Sequence, residues 1–226
     1  MEPLSSLKSK VDTILELLER SYPEVKVPLN YSNPLELLIA TILSAQCTDK
    51  KVNEVTKKLF KRYKTAKDYA EAELSVLEND IREINFYKNK AKNIKACCQQ
   101  LVEKYHGNVP ADLEKLTALP GVGRKTANVV LGAAFGIPAI VVDTHVKRVS
   151  QRLGLTKNTA PEKIERDLMR LIPQRHWTKF SLQLIIHGRT ICKSRRPRCE
   201  ICPLQSVCAY FQNQGKSLDK GKPRGR

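Results

Sequence analysis

Four cysteines fall within 17 residues as Cys192-x6-Cys199-x2-Cys202-x5-Cys208. Thiolates this close in sequence can wrap one metal centre. Structural zinc usually draws on two separated Cys-x2-Cys pairs, whereas here one such pair is flanked by two single cysteines. Thiolate-only ligation within one compact loop also suits a 4Fe–4S cluster, and on this chemistry both readings stand. Between the first two cysteines run Lys193-Ser194-Arg195-Arg196-Pro197-Arg198, four cations in six residues. A metal-stapled basic loop is a rigid device for contacting phosphate.

A second constellation lies upstream, in Leu119-Pro120-Gly121-Val122-Gly123-Arg124-Lys125-Thr126-Ala127. Pro120 stops one helix, while Gly121 and Gly123 allow positive φ and close backbone approach. The next helix then opens with outward N–H groups beside the cations Arg124 and Lys125, a ready phosphate site. Val122 is the expected apolar anchor of this helix-hairpin-helix pattern. Lys125 has two possible tasks: a phosphate contact, or a nucleophile whose amine is made available by Arg124, the helix N-terminus and partial burial. Asp143 follows eighteen residues later in Val141-Val142-Asp143-Thr144-His145-Val146. It is placed to cap a helix from Thr144, and a capping carboxylate still presents one oxygen to a neighbouring group.

The elements that must position these groups are helical. Val11, Ile14, Leu15 and Leu18 keep helical spacing, and Asn33 caps a helix opened by Pro34 and continued by Leu35, Leu38, Ile39, Ile42 and Leu43. Asp49 is the expected cap of a third helix bearing Val52, Val55, Leu59 and Phe60. Two shorter helices fit residues 67–84. Others fit 88–105, closed by His106-Gly107, then 111–119, 123–135, 143–153, 161–171 and 176–191. Residues 139–142, Ala-Ile-Val-Val, read as a buried linker, since no partner strand is evident. The Gly-, Lys- and Pro-rich residues 213–226 read as a disordered basic tail.

Charge narrows the partner. The 226 residues hold 40 Lys+Arg against 23 Asp+Glu, a net +17. Residues 1–113 carry 18 basic and 16 acidic side chains, and residues 114–226 carry 22 and 7, so the excess sits in the half with the motifs. Aromatic residues at 6% offer no stacking platform for RNA. No apolar run reaches a membrane span, and residues 1–10 have no secretory core. The chain is expected to be intracellular and cytoplasmic, associated with the nucleoid, and monomeric. Seven cysteines, an odd number, argue against a disulfide framework.

The hairpin with Lys125, the later Asp143, the cysteine spacing and Leu43-Ser44-Ala45-Gln46-Cys47-Thr48-Asp49 together resemble the endonuclease III family of DNA glycosylase/lyases. The likeness runs over about residues 8–212. It implies an all-α fold of two lobes. One is a six-helix barrel over 26–137 that includes the hairpin; the other is a helical iron–sulfur cluster lobe of residues 1–25 plus 138–212. It implies one 4Fe–4S cluster on Cys192, Cys199, Cys202 and Cys208, and duplex DNA with damaged pyrimidines or abasic sites as partner. Lys125 becomes the nucleophile and Asp143 the carboxylate that stabilises charge on the sugar. Gly121, Gly123, Arg124, Lys193, Arg195, Arg196 and Arg198 become DNA contacts.

By the same resemblance Gln46 fills the gap left by a flipped base, and Phe86 in Asn85-Phe86-Tyr87 is the wedge. The family more often has Gly-Leu-Tyr there, and Asn85 is the residue expected to take the left-handed conformation. His145 matches a histidine beside the site, with packing, hydrogen-bonding and catalytic roles all open. His106, His176 and His187 are expected in caps or core. A mismatch adenine glycosylase shares the fold and cluster but lacks the hairpin lysine. A non-catalytic DNA-binding module with zinc on the cysteines is the reading from another class.

Overall fold

The computed structural model describes residues 4–213, and every regular element among them is helical. The order is α1 (Leu4–Ser21), α2 (Pro34–Ser44), α3 (Asp49–Arg62), α4 (Ala66–Glu71), α5 (Leu74–Asp80), α6 (Tyr87–Tyr105), α7 (Leu113–Thr117), α8 (Arg124–Ala134), α9 (Thr144–Leu153), α10 (Pro161–Leu171) and α11 (Trp177–Thr190). Single 3-10 turns occupy Gln174–His176, Cys199–Ile201 and Gln205–Val207. From residue 214 on, the expected tail lies outside the described residues.

Local chemistry explains most boundaries. Asn33 Oδ1 accepts from Glu36 N at 2.9 Å, with Pro34 in the first turn of α2. α9 begins on Asp143 and ends on Gly154 at φ +78. Two starts differ from expectation. Thr48, not Asp49, caps α3, its hydroxyl accepting from Lys51 N, so Asp49 lies within the first turn. Asp112 caps α7, which therefore begins at Leu113 and ends at Thr117, before Pro120. In both cases a polar residue displaced the boundary by offering its oxygen to an orphan N–H.

The chain divides into two compact units. One is Val27–Ala139; the other joins the described residues up to Lys26 with those from Ile140 onward. In the first, α2 is buried throughout residues 37–43 and packs against α3, α6 and α8. A helix apolar on all faces is a core element, and α2 is the axis of this unit. In the second, α1 contributes Val11, Ile14 and Leu18, α9 contributes Val146, Val149 and Leu153, and α11 contributes Phe180 and Leu184 to one core. Residues 139–142 form no strand and are buried, and Val141 N donates to Ser181 Oγ at 3.0 Å.

α4 starts with a capping box. Thr65 Oγ1 accepts from Asp68 N, and Asp68 Oδ2 accepts from Thr65 N at 2.8 Å and Lys64 N at 2.7 Å. The backbone bond from Thr65, then that from Lys64, holds the Asp68 carboxyl below the usual range. A depressed folded pKa means its stabilisation is complete above the unfolded value of about 3.9 and is lost as pH falls through the lower folded value. Asp68→Ala is expected to destabilise the protein by about 0.5–1 kcal/mol at neutral pH. In urea unfolding the gap to wild type should narrow in acid, and an equal gap at both pH values would remove the carboxylate from the explanation.

Candidate functional site

The hairpin joins α7 to α8. Gly121 has φ +75, and a Cβ there would lie 2.8 Å from Asn93 Cβ on α6. Glycine is required on both counts. Gly123 departs from expectation: it is the N-cap of α8 in extended conformation (φ −85, ψ 170), and a Cβ would meet nothing within 4 Å. Its missing side chain leaves the approach to the α8 N-terminus open. Val122 is buried at 5% exposure, as an anchor should be. Lys125 lies in the first turn of α8 and is exposed, so the expected partial burial is not found.

A second device in the same unit brings Gln46 and Phe86 together. Both are exposed, Phe86 to 61%, and both have positive φ, at 53° and 59°. The left-handed residue of the Asn85-Phe86-Tyr87 loop is thus Phe86, as N-cap of α6, and not Asn85. Asn85 instead uses its side chain: Nδ2 donates to Gln46 O at 2.8 Å. Beneath them Lys90, 6% exposed, donates to Leu43 O at 2.8 Å and Ala45 O at 2.6 Å. Burial lowers its pKa, and the carbonyl end of α2 suits a cation. Nothing in local sequence distinguishes Lys90 from a solvated lysine; only its spacing along the buried face of α6, with Ala91 and Ile94, marks it.

In the other unit, α9 carries Asp143 at one end. Asp143 is half-buried, and its Oδ1 accepts from His145 N and Val146 N, both at 2.8 Å. Both bonds fall on one oxygen, so the cap itself does not use Oδ2. Arg148 Nη2 lies 3.1 Å from His145 Nδ1 and 2.9 Å from Gly188 O, to which it donates. Burial lowers the His145 pKa, favouring the neutral ring. A Cβ on Gly188 would come within 2.9 Å of His145 Cβ, so glycine permits this close contact of α9 and α11.

All four clustered cysteines are free of disulfides and line one recess of about 330 Å³, counting its open mouth, together with Arg152 and His187. Among the described residues no three His, Cys, Asp or Glu side chains converge tightly enough for a single metal ion. Four free thiols around one recess are a donor set that a 4Fe–4S cluster takes. The donor set fits too: burial pushes the Cys202 thiol up to about 11, so ionising it calls for adjacent positive charge of the kind iron supplies.

Arg152 on the last turn of α9 clamps this loop. It donates to Cys192 Sγ at 3.2 Å, Lys193 O at 2.7 Å and Ser194 O at 3.0 Å, and lies over the Tyr210 ring at 4.8 Å. Lys193, Arg195, Arg196 and Arg198 are exposed on it. His187 is core, as expected, but also a neighbour of the recess: its Nε2 is 3.6 Å from Cys202 Sγ and its Nδ1 is 3.0 Å from Tyr22 OH. Sequence offered no signal for the roles of Arg152 and His187, which depend on contacts over 40 and 165 positions.

Comparison with known proteins agrees with this geometry. Residues 39–174 match the family model of HhH-GPD superfamily base excision DNA repair proteins, and residues 192–208 match the iron–sulfur binding domain of endonuclease III. The chain is 51% identical to the endonuclease III of Synechocystis sp. over 94% of its length and 97% of the relative. It is 47% identical to that of Bacillus subtilis over 92% and 95%. A solved structure described as a trapped endonuclease III–DNA covalent intermediate is similar with a TM-score of 0.87 and 46% identity, covering 92% of this chain and 98% of that one.

The two hairpin glycines should respond differently to a methyl group. Gly121→Ala combines a strained φ with the Asn93 overlap and is expected to cost about 1–3 kcal/mol in chemical unfolding. Gly123→Ala, with open space around it, should cost well under half as much. Equal losses would show that the Asn93 approach is not what selects glycine at 121.

Proposed function

This chain belongs to the endonuclease III family, within the HhH-GPD superfamily of base excision DNA repair proteins, and on that premise we propose that it removes oxidised pyrimidines from duplex DNA and cuts the strand at the resulting abasic site. The observation that carries this reading is Lys125: an exposed amine in the first turn of a helix whose N-cap has no side chain. A nucleophile must reach its target atom, and phosphate is attracted to the amides beside it. The Val27–Ala139 unit is then the barrel with the hairpin, and the other unit the cluster lobe. The protein acts as a monomer, inside the cell, in the cytoplasm with its DNA. No helix of the described residues is long and apolar enough to cross a membrane.

The damaged nucleotide is flipped out of the stack because its glycosidic carbon is otherwise unreachable. Gln46 enters the vacated space and Phe86 wedges the neighbouring step. The Lys125 amine attacks C1′: a C–N bond forms, the glycosidic bond breaks with its electron pair leaving on the base, and ring opening gives an imine. Asp143, through the oxygen its cap leaves over, stabilises the positive charge that develops on the sugar and accepts a proton from the attacking amine. Loss of a C2′ proton then expels the 3′ phosphate by β-elimination, and water hydrolyses the imine to restore Lys125.

Cys192, Cys199, Cys202 and Cys208 hold the one 4Fe–4S cluster, which when bound supplies a structural crosslink rather than a step. Lys193, Arg195, Arg196 and Arg198 are thereby held as a phosphate-contacting loop. Gly121, Gly123, Arg124 and His145 complete the DNA-facing set.

Borohydride reduction during reaction with a duplex containing thymine glycol is expected to trap a covalent adduct with wild type and none with Lys125→Ala. Asp143→Asn should bind the duplex yet excise at least about a hundredfold more slowly. Tight binding by wild type without adduct, excision or strand cleavage would reduce the protein to a non-catalytic DNA-binding module.

A further inference from the structure

Gln46 and Phe86 stand on backbone that residues with large side chains seldom adopt, at φ 53° and 59°. Such conformations persist where surrounding contacts over-determine them, and they cluster at functional sites. Here the contacts are specific. Cys47 N bonds back to Ser44 O at 3.1 Å, turning the chain after α2. Lys90 holds the α2 carbonyls from below. Above, the exposed Asn85 amide reaches across to the carbonyl of Gln46 itself at 2.8 Å, and this is the hydrogen bond its side chain makes among the described residues. Asn85 adjoins Phe86, so one amide ties the backbone of both exposed side chains together.

We propose that Asn85 is a positioning residue that locks Gln46 and Phe86 into a single preformed two-pronged insert. The inference rests on the function proposed above, in which these two side chains enter the duplex. Base displacement then begins from a rigid pair, and the ordering of two separate loops is not charged against the flipped state. A glycine at 85 would leave the same backbone without this tie. The device predetermines the separation of the two prongs and hence the distortion that the duplex must accept.

Asn85→Ala separates this from a role in chemistry or folding. Single-turnover excision would be measured on a thymine glycol duplex, and strand cleavage with borohydride trapping on a single-stranded abasic oligonucleotide, which has no gap to fill. The expected result is a loss of about fivefold on the duplex, the worth of one neutral hydrogen bond, with cleavage of the single strand unchanged. A fluorescent 2-aminopurine opposite the lesion should also report slower base displacement. Combining Asn85→Ala with Gln46→Ala should cost less than the two losses multiplied, because the tie acts through that side chain. Unchanged duplex excision overturns the proposal, as does an equal loss on both substrates, which would mark a general structural effect. Failure of wild type on both substrates overturns the functional reading and the inference with it.

Discussion

A helix leaves its first N–H groups and last carbonyls without partners, and the side chains singled out above sit at those ends. Gly123 leaves the start of α8 uncapped by any side chain, beside Lys125. Asp143 satisfies two amides of α9 with a single oxygen. Lys90 gathers two carbonyls at the end of α2, and Cys192 N bonds to His187 O past the end of α11. The same electrostatics that terminate the helices thus place the open start of α8, a carboxylate, the Gln46 turn and Cys192. Had α8 begun on a serine or aspartate, its amides would be occupied and a phosphate would find less to bind.

Packing adds a second constraint, close approach. Gly121 against Asn93 draws the hairpin onto α6, and Gly188 against His145 draws α11 onto α9. α9 then serves two ends at once. Its N-cap is Asp143, and its last turn sends Arg152 to Cys192 and the carbonyls of the basic loop. Arg148 lies between them, bonded to His145, Gly188 O and Cys192 O. One ten-residue helix therefore connects the carboxylate to the cysteine loop through side chains of a single element.

What could be read in the sequence was what depends on neighbours along the chain. Cap and proline signals placed α2, α9 and α10, and the cysteine spacing and the hairpin string are patterns of adjacent residues. Starts with competing polar residues moved by a position or two, as at Thr48 and Asp112, because adjacent candidates differ only in which oxygen reaches the amide. What escaped depends on distance. Lys90 looks like any helical lysine until its carbonyl partners some 45 positions away are seen. His187 looks like an ordinary core histidine until Cys202 and Tyr22 close around it. The left-handed residue fell on Phe86 rather than Asn85 because the Asn85 amide is engaged across the loop, a preference that conformational propensity alone does not capture.

The second unit is assembled from both ends of the chain, with the whole of Val27–Ala139 inserted between α1 and its partners. α1 packs on α11 and on the turn at Gln205–Val207, all encoded late. During synthesis α1 therefore emerges ahead of its partners, its Val11, Ile14 and Leu18 stripe uncovered until the residues after Ala139 follow. A ribosome that stalls before α9 releases a chain with one unit whole and one amphipathic helix whose apolar stripe has none of its core partners to cover it.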